Sequence, residues 1–174
     1  MKKIAVLMIL MALLCCLCGC KGEASLKFYV VEGEYLTGGE SETEMLSIAK
    51  KSGRLVFTDA DIEGYLWSEH RIRLKEAPVR GSIADGGSRL FQAEANDRFL
   101  LVLGNRVIYF GGFAAGSGSA AIQISPYIID EGAQTFSIAY SSKYSEGEDP
   151  RGDQRLYRYL TEHQLLSSKL NEEK

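Results

Sequence analysis

The clearest pattern of apolar positions is a pair of strand-like runs separated by two residues. Residues 99–103 and 106–110 are rich in β-branched and aromatic side chains, and Gly104 and Asn105 lie between them. Because Gly and Asn tolerate the positive φ of tight turns, this spacing predicts a β-hairpin. Residues 99–103 are apolar on both faces, so we expect them to form a central strand that is covered on each side.

Other short runs predict further strands. Pro126 interrupts one of them, and because proline lacks the N–H that a ladder needs, we expect that strand at an edge of the sheet. The predicted strands are 26–31, 55–57, 70–74, 121–129 and 135–141. We expect loops at residues 32–40 and 78–88 and a weak helical turn at residues 89–96.

Two segments carry helix signals. Ser41-Glu-Thr-Glu44 has the form of a capping box, apolar residues follow at helical spacing, and Gly53 lies beyond the last turn. Near the C-terminus, Asp149 and Pro150 predict an N-cap and a first helical position. The apolar stripe of the helix that follows comprises Leu156, Tyr159, Leu160, His163, Leu166 and Leu170. Together these elements predict an α+β fold, an antiparallel-rich sheet with the C-terminal helix packed on one face.

The N-terminal segment differs in pattern from the rest of the chain. Two lysines precede an unbroken apolar run at residues 4–18, which has the layout of a secretory signal peptide. This run is shorter than the roughly 20 residues that a membrane-spanning helix needs. The run leads into Leu17-Cys18-Gly19-Cys20, which resembles the lipobox of bacterial lipoproteins. The resemblance implies that residues 1–19 are removed and that Cys20 is lipidated on sulfur.

A lipidated Cys20 determines how we expect the chain to be organised. All four cysteines lie within residues 15–20, so residues 21–174 have no thiol and no disulfide. Residues 20–25 then form a short tether that reaches roughly 20 Å, and residues 26–174 are long enough for a single domain. We expect the protein on the extracytoplasmic face of the cell membrane, anchored through its lipid.

The net charge of the chain without its leader limits which classes of partner it can bind. Without Lys2 and Lys3 the 20 basic residues fall to 18, against 23 acidic residues. A mildly acidic body argues against nucleic acid, whose phosphates require a basic face. On the last predicted helix, Arg151, Arg155 and Arg158 form one basic edge. We expect a solvated face there, and contact with an anionic wall polymer or a protein partner is the alternative.

A further set of positions comprises Asp61, Ile62, Tyr65, Trp67, His70, Ile72 and Leu74, followed by residues 108–113. This set resembles a group of small extracytoplasmic proteins of Gram-positive bacteria. The resemblance implies a location outside the cytoplasm and no particular activity.

Residues 59–70 partly match a calcium-binding loop. Asp59, Asp61 and Glu63 occupy the first, third and fifth positions, and Gly64 the sixth. The twelfth position, which needs a bidentate Glu, is His70. A capped helical turn at residues 58–61 is the structural alternative.

The remaining candidates concern binding. The Gly-rich tract 111–121 includes Gly116 and Gly118, whose backbone N–H groups could approach a ligand closely. Together with Tyr65, Trp67 and His70 they form our candidate binding surface. We expect a non-enzymatic module without a cofactor that binds an envelope component or protein. The alternative is an extracytoplasmic hydrolase or a domain that binds calcium or zinc.

Overall fold

A computed structural model provides the structure, which describes residues 24–76, 91, 93–94, 96–114, 124–132, 134–144 and 148–169. The strands are β1 (Leu26–Val31), β2 (Arg54–Thr58), β3 (Ile62–Leu66), β4 (Arg71–Leu74), β5 (Arg98–Leu103), β6 (Arg106–Phe113), β7 (Tyr127–Gly132) and β8 (Thr135–Ala139). The helices are α1 (Glu42–Ser52) and α2 (Gln154–Glu162).

The strands form one sheet in the order β2-β1-β5-β6-β7-β8-β4-β3. Neighbouring strands are antiparallel except β6 and β7, whose short parallel ladder pairs Gly112 with Tyr127 and Phe113 with Ile128. The predicted α+β fold with an antiparallel-rich sheet is therefore confirmed. The two predicted loops differ in outcome, because residues 32–40 do connect β1 to α1, whereas residues 78–88 lie outside the described residues.

The predicted hairpin is confirmed. Leu103 pairs with Arg106, and Gly104 takes the positive φ (61°) that the tight turn requires. Strand β5 lies between β1 and β6 and is covered on both faces. Phe99 and Leu101 join the larger apolar core, while Leu100 and Val102 join a smaller core beneath α1.

The sheet curls strongly around its larger core. The rings of Phe57 in β2 and Phe136 in β8 lie 5.8 Å apart, although four strands separate β2 from β8 in the sheet. Phe28 stacks on Phe57 at 4.7 Å and on Phe99 at 5.3 Å, so aromatic rings fill the space inside the curl. Such packed ring pairs stabilise a core beyond the area that they bury.

Helix α1 begins as its sequence predicts. Ser41 is the N-cap, and the reciprocal capping box with Glu44 is present. Val107 N–H donates to Glu42 Oε1 at 3.1 Å, which ties the first turn of the helix to β6. Ala49 is fully buried against the smaller core.

Helix α2 packs on the concave face of the sheet, as predicted, but its bounds were wrong. Asp149 and Pro150 open a single 3-10 turn, and α2 starts only after a second N-cap, Asp153. Leu156, Tyr159 and Leu160 are buried in the larger core. Because α2 ends at Glu162, His163 is its C-cap and Leu166 lies beyond the helix; Leu170 is outside the described residues.

Strand β7 does not lie at an edge, which corrects a second prediction. It starts at Tyr127, immediately after Pro126, so the missing proline N–H interrupts no ladder. The strand is then free to pair on both sides, with β6 and β8. Residues 121–123 of the predicted strand lie outside the described part of the chain.

Candidate functional site

Three residues of the predicted binding surface lie near the β3–β4 turn, Tyr65 in β3 and Trp67 and His70 in the turn itself, and Tyr65 is not exposed there. Tyr65 is 0% exposed in the larger core, so its side chain cannot belong to a surface patch. Trp67 and His70 are half-buried. The Trp67 ring lies 5.0 Å from that of Tyr157 on α2, which is 40% exposed. This correction leaves Trp67 and His70 at the boundary between sheet and helix.

Three side chains form a hydrogen-bonded chain beneath this turn. The Tyr65 hydroxyl lies 3.3 Å from His70 Nδ1 and 3.4 Å from the Tyr109 hydroxyl. Burial raises the pKa of Tyr65 to about 12 and raises that of Tyr109 well above its ordinary value. Both phenols are therefore neutral hydrogen-bonding groups at physiological pH.

His70 itself has an unusual conformation and environment. Its φ is 48°, in the left-handed region that few side chains adopt. Burial lowers the pKa of His70, and the nearby Arg151 guanidinium lowers it further, while the Asp149 carboxylate acts in the opposite direction. The ring is therefore held in its neutral form.

The predicted basic edge of the last helix does not form a free cationic surface. Arg151 precedes α2, and its guanidinium forms hydrogen bonds to Asp149 at 2.6–3.0 Å and to the Ile138 carbonyl at 3.0 Å. Arg155 is paired with Asp153 in the same manner. Two of the three arginines are thus paired with carboxylates two positions away along the chain, while Arg158 is exposed.

Residues of the calcium-loop pattern form separate local contacts. Asp61 Oδ2 accepts hydrogen bonds from the Thr58 backbone N–H and hydroxyl at 2.8 and 3.0 Å, capping the 3-10 turn Asp59–Asp61. Glu63 forms an ion pair with Arg73 at 2.9 Å. Within the ranges that the structure describes, no group of three His, Cys, Asp or Glu residues is arranged to hold a metal ion.

The predicted glycine tract is described only at its start. Strand β6 extends through Gly111 and Gly112 to Phe113, so these residues belong to the sheet. Gly116 and Gly118, the two proposed ligand contacts, lie outside the described residues.

A cleft of about 500 Å³ lies at the other end of the sheet, between the segment that follows β1 and the residues that precede β5. Four carboxylates and one guanidinium are among its lining groups. The lining residues are Val30, Glu32, Gly33, Glu34, Ser52, Arg54, Glu94, Asn96 and Asp97.

Close backbone packing holds the walls of this cleft. A Cβ atom on Gly33 would lie 2.0 Å from the Asn96 carbonyl oxygen, so only glycine lets the two segments approach so closely. Glu94 N–H donates to Asp97 Oδ2 at 2.9 Å, which fixes the turn on one side. Arg54 donates to the Phe91 carbonyl. The guanidinium of the lining thus contacts backbone, and carboxylates outnumber it among the described lining residues.

Sequence reasoning missed this cleft. The acidic composition of residues 32–40 was visible, but residues 94–97 are about 60 positions away along the chain. The pairing of β1 with β5 brings the two segments together, because Val31 faces Arg98 in that ladder. No short motif reports such a contact.

Comparisons of this chain with protein-family models, with curated proteins and with solved structures found no match. Among the described residues, no helix has the length and apolar character needed to cross a membrane.

Proposed function

We propose that this protein is a lipid-anchored extracytoplasmic lipoprotein whose folded body binds a cationic, amine-bearing ligand or partner in the carboxylate-lined cleft. The observation that carries the binding proposal is the cleft itself, a concave site with a strong excess of negative charge. The anchoring proposal rests on the leader pattern and on Cys20.

The dimensions and charge of the cleft support a small or side-chain-sized ligand. Its volume of about 500 Å³ falls within the roughly 300–1,000 Å³ of small-molecule sites. Glu32, Glu34, Glu94 and Asp97 create a negative potential that attracts ammonium groups and repels phosphates and carboxylates. The lining holds four carboxylates and one guanidinium, that of Arg54, so an incoming cation meets a net negative charge.

Anchoring is supported by the chemistry of the leader. A lipidated cysteine supplies several acyl chains, and two or more chains hold a protein stably on a bilayer. The short tether would keep the cleft within a few nanometres of the membrane, where an envelope-associated amine is the expected partner.

Lipidation is tested in bacteria fed with labelled palmitate. The full chain should carry the label and sediment with membranes, whereas Cys20→Ser should lose both properties. Cys18→Ser is the matched control, because it also removes a leader thiol but leaves the acceptor sulfur. Equal labelling of the Cys20→Ser variant would refute anchoring through this residue.

Ligand binding is tested by calorimetry with hexalysine and spermidine as probes, on the full chain in detergent. The double variant Glu34→Gln and Glu94→Gln should weaken binding at least about tenfold, the equivalent of roughly 1.4 kcal/mol. Glu148→Gln with Glu162→Gln is the control, because it removes the same charge from exposed positions outside the cleft lining. An equal loss in both variants would show that general acidity, and not the cleft, attracts the probes.

A further inference from the structure

The hydrogen-bonded chain beneath the β3–β4 turn has a direction that depends on the protonation of His70. A phenol has one proton to donate, and neutral imidazole has one bare nitrogen that accepts. With Nδ1 bare, Tyr109 donates to Tyr65 and Tyr65 donates to His70, so both bonds have a donor. Both phenol protons then have an acceptor without water.

Protonation of His70 reverses this chain. Nδ1–H becomes a donor that points at the Tyr65 oxygen, so Tyr65 can no longer donate to His70. The two phenol protons then share one phenol–phenol hydrogen bond, so one of them has no acceptor among the contacts found for Tyr65 and Tyr109 within the described residues. Tyr109 is only 4% exposed, and a buried donor without a partner costs about 1–3 kcal/mol.

The groups around the imidazole do not compensate for the new charge. Arg151 repels it, and Asp149 already binds Arg151. Glu69, the adjacent carboxylate, pairs with Arg71 at 3.0 Å. On the side of α2, the Tyr157 ring lies 5.0 Å from the Trp67 ring, which lies 5.3 Å from the imidazole; neither ring carries a charge.

Tyr65 also holds the C-terminal segment on the edge of the sheet. Its N–H donates to the Leu165 carbonyl at 2.8 Å, and its carbonyl accepts from Ser167 N–H at 2.9 Å. Leu166 forms an isolated parallel bridge with Tyr65. These two bonds connect the end of α2 to β3, and an edge attachment of this kind opens more easily than the core.

We propose that His70 is a proton-sensitive latch: the neutral ring keeps Tyr65 in place and the C-terminal segment closed on β3, and protonation loosens that segment. The latch acts through side-chain donors and acceptors that the fold brings together from β3, β6 and the β3–β4 turn. The latch requires no ligand, so the test of the latch does not depend on whether the cleft binds one.

The test is amide hydrogen exchange by NMR on the full chain in detergent at about pH 7.5 and about pH 5.5, on either side of the ordinary histidine pKa. Rates are divided by the intrinsic exchange rate at each pH. The protection of Ser167 N–H should fall at least about fivefold at the lower pH, because a buried donor without a partner costs about 1 kcal/mol or more. Gly112 N–H, which bonds to the Pro126 carbonyl inside the sheet, is the reference amide and should keep its protection.

Two variants separate the latch from general acid destabilisation. His70→Asn keeps an acceptor for Tyr65 and tolerates the left-handed φ, so it should be closed at both pH values. Tyr65→Phe removes the hydroxyl through which His70 acts and keeps the ring and the backbone bonds of residue 65, so it should lose most of the pH effect. Unchanged Ser167 protection in the natural chain, an equal loss at Gly112, or a full pH effect in Tyr65→Phe would each overturn the proposal.

Discussion

Replacing Gly111 by alanine tests the least regular part of the sheet, the parallel contact between β6 and β7. A Cβ atom at this position would lie 2.0 Å from the Pro126 carbonyl oxygen and 2.6 Å from the Phe99 ring. Ordinary contacts of this kind begin at 3.4 Å, so the two backbones would have to separate by roughly 1.4 Å. Gly111 does not have positive φ, and the expected effect is therefore steric and not conformational.

The cost follows from what such a separation would break. Overpacking a well-filled site costs about 1–3 kcal/mol. The hydrogen bonds from Gly112 N–H to Pro126 and from Ala114 N–H to Ile128 cross the same gap, and each contributes about 1 kcal/mol. We expect Gly111→Ala to lower the free energy of unfolding by about 3 kcal/mol. For a domain of this size that loss lowers the Tm by about 6–12 °C.

The neighbouring glycine supplies the control. A Cβ atom on Gly112 would lie 3.8 Å from Ile124, an ordinary contact, so Gly112→Ala should change stability by less than about 1 kcal/mol. Both variants and the natural chain are compared by thermal and urea unfolding, followed by circular dichroism in one detergent. Equal stability of Gly111→Ala and Gly112→Ala would refute the close approach of β6 to the segment around Pro126.

Four further outcomes follow from local contacts. Ser41→Ala should cost about 1 kcal/mol in urea unfolding because it removes the N-cap of α1, and Thr43→Ala, at an exposed position of the same turn, should cost less. Phe28→Ala should cost about 3–5 kcal/mol because three rings stack on it. Leu55→Ala, at a position 48% exposed, should stay within about 0.5 kcal/mol. Hydrogen bonds from Thr37 lower the pKa of Glu40 to about 2. The carboxylate therefore stabilises the fold above its ordinary pKa, and this stabilisation is lost as the pH falls toward 2. In Glu40→Gln the midpoint of urea unfolding should depend less on pH over that range.

Elements whose signals lie close together along the chain were predicted well. The capping box of α1 and the two-residue turn after Leu103 both appear where the sequence places them. Capping and tight turns are satisfied by residues three or fewer positions apart, so tertiary contacts do not need to be known. The strand β5 was also recognised as central, because only a strand buried on both faces is apolar throughout.

Elements that depend on distant partners were predicted less well. Pro126, within the predicted strand 121–129, indicated an edge strand. Strand β7 instead begins at Tyr127, the residue after this proline, and pairs with a strand on each side. The apolar stripe extended past the end of α2 to Leu166, because that residue packs against the same core from an extended segment. A stripe of apolar residues reports which side is buried, and it does not report whether the backbone is still helical.

In the candidate site, too, the contacts between residues distant in sequence were the ones that the sequence did not predict. Tyr65 and Trp67 were predicted to be neighbours on a surface, and their rings do lie 5.7 Å apart, but Tyr65 is 0% exposed in the larger core. The hydrogen-bonded chain from His70 to Tyr109 joins residues 39 positions apart in the sequence. The cleft likewise forms only where β1 meets β5.

By itself the sequence determined the local elements, the absence of thiols after Cys20 and the acidic charge, because composition, caps and tight turns depend on residues near one another in the chain. The tertiary structure alone decided which carboxylates face a common cleft and which hydroxyls meet His70. Those contacts arise from the strand order and curl of one sheet, and burial and hydrogen bonding across that sheet join residues that no local pattern relates.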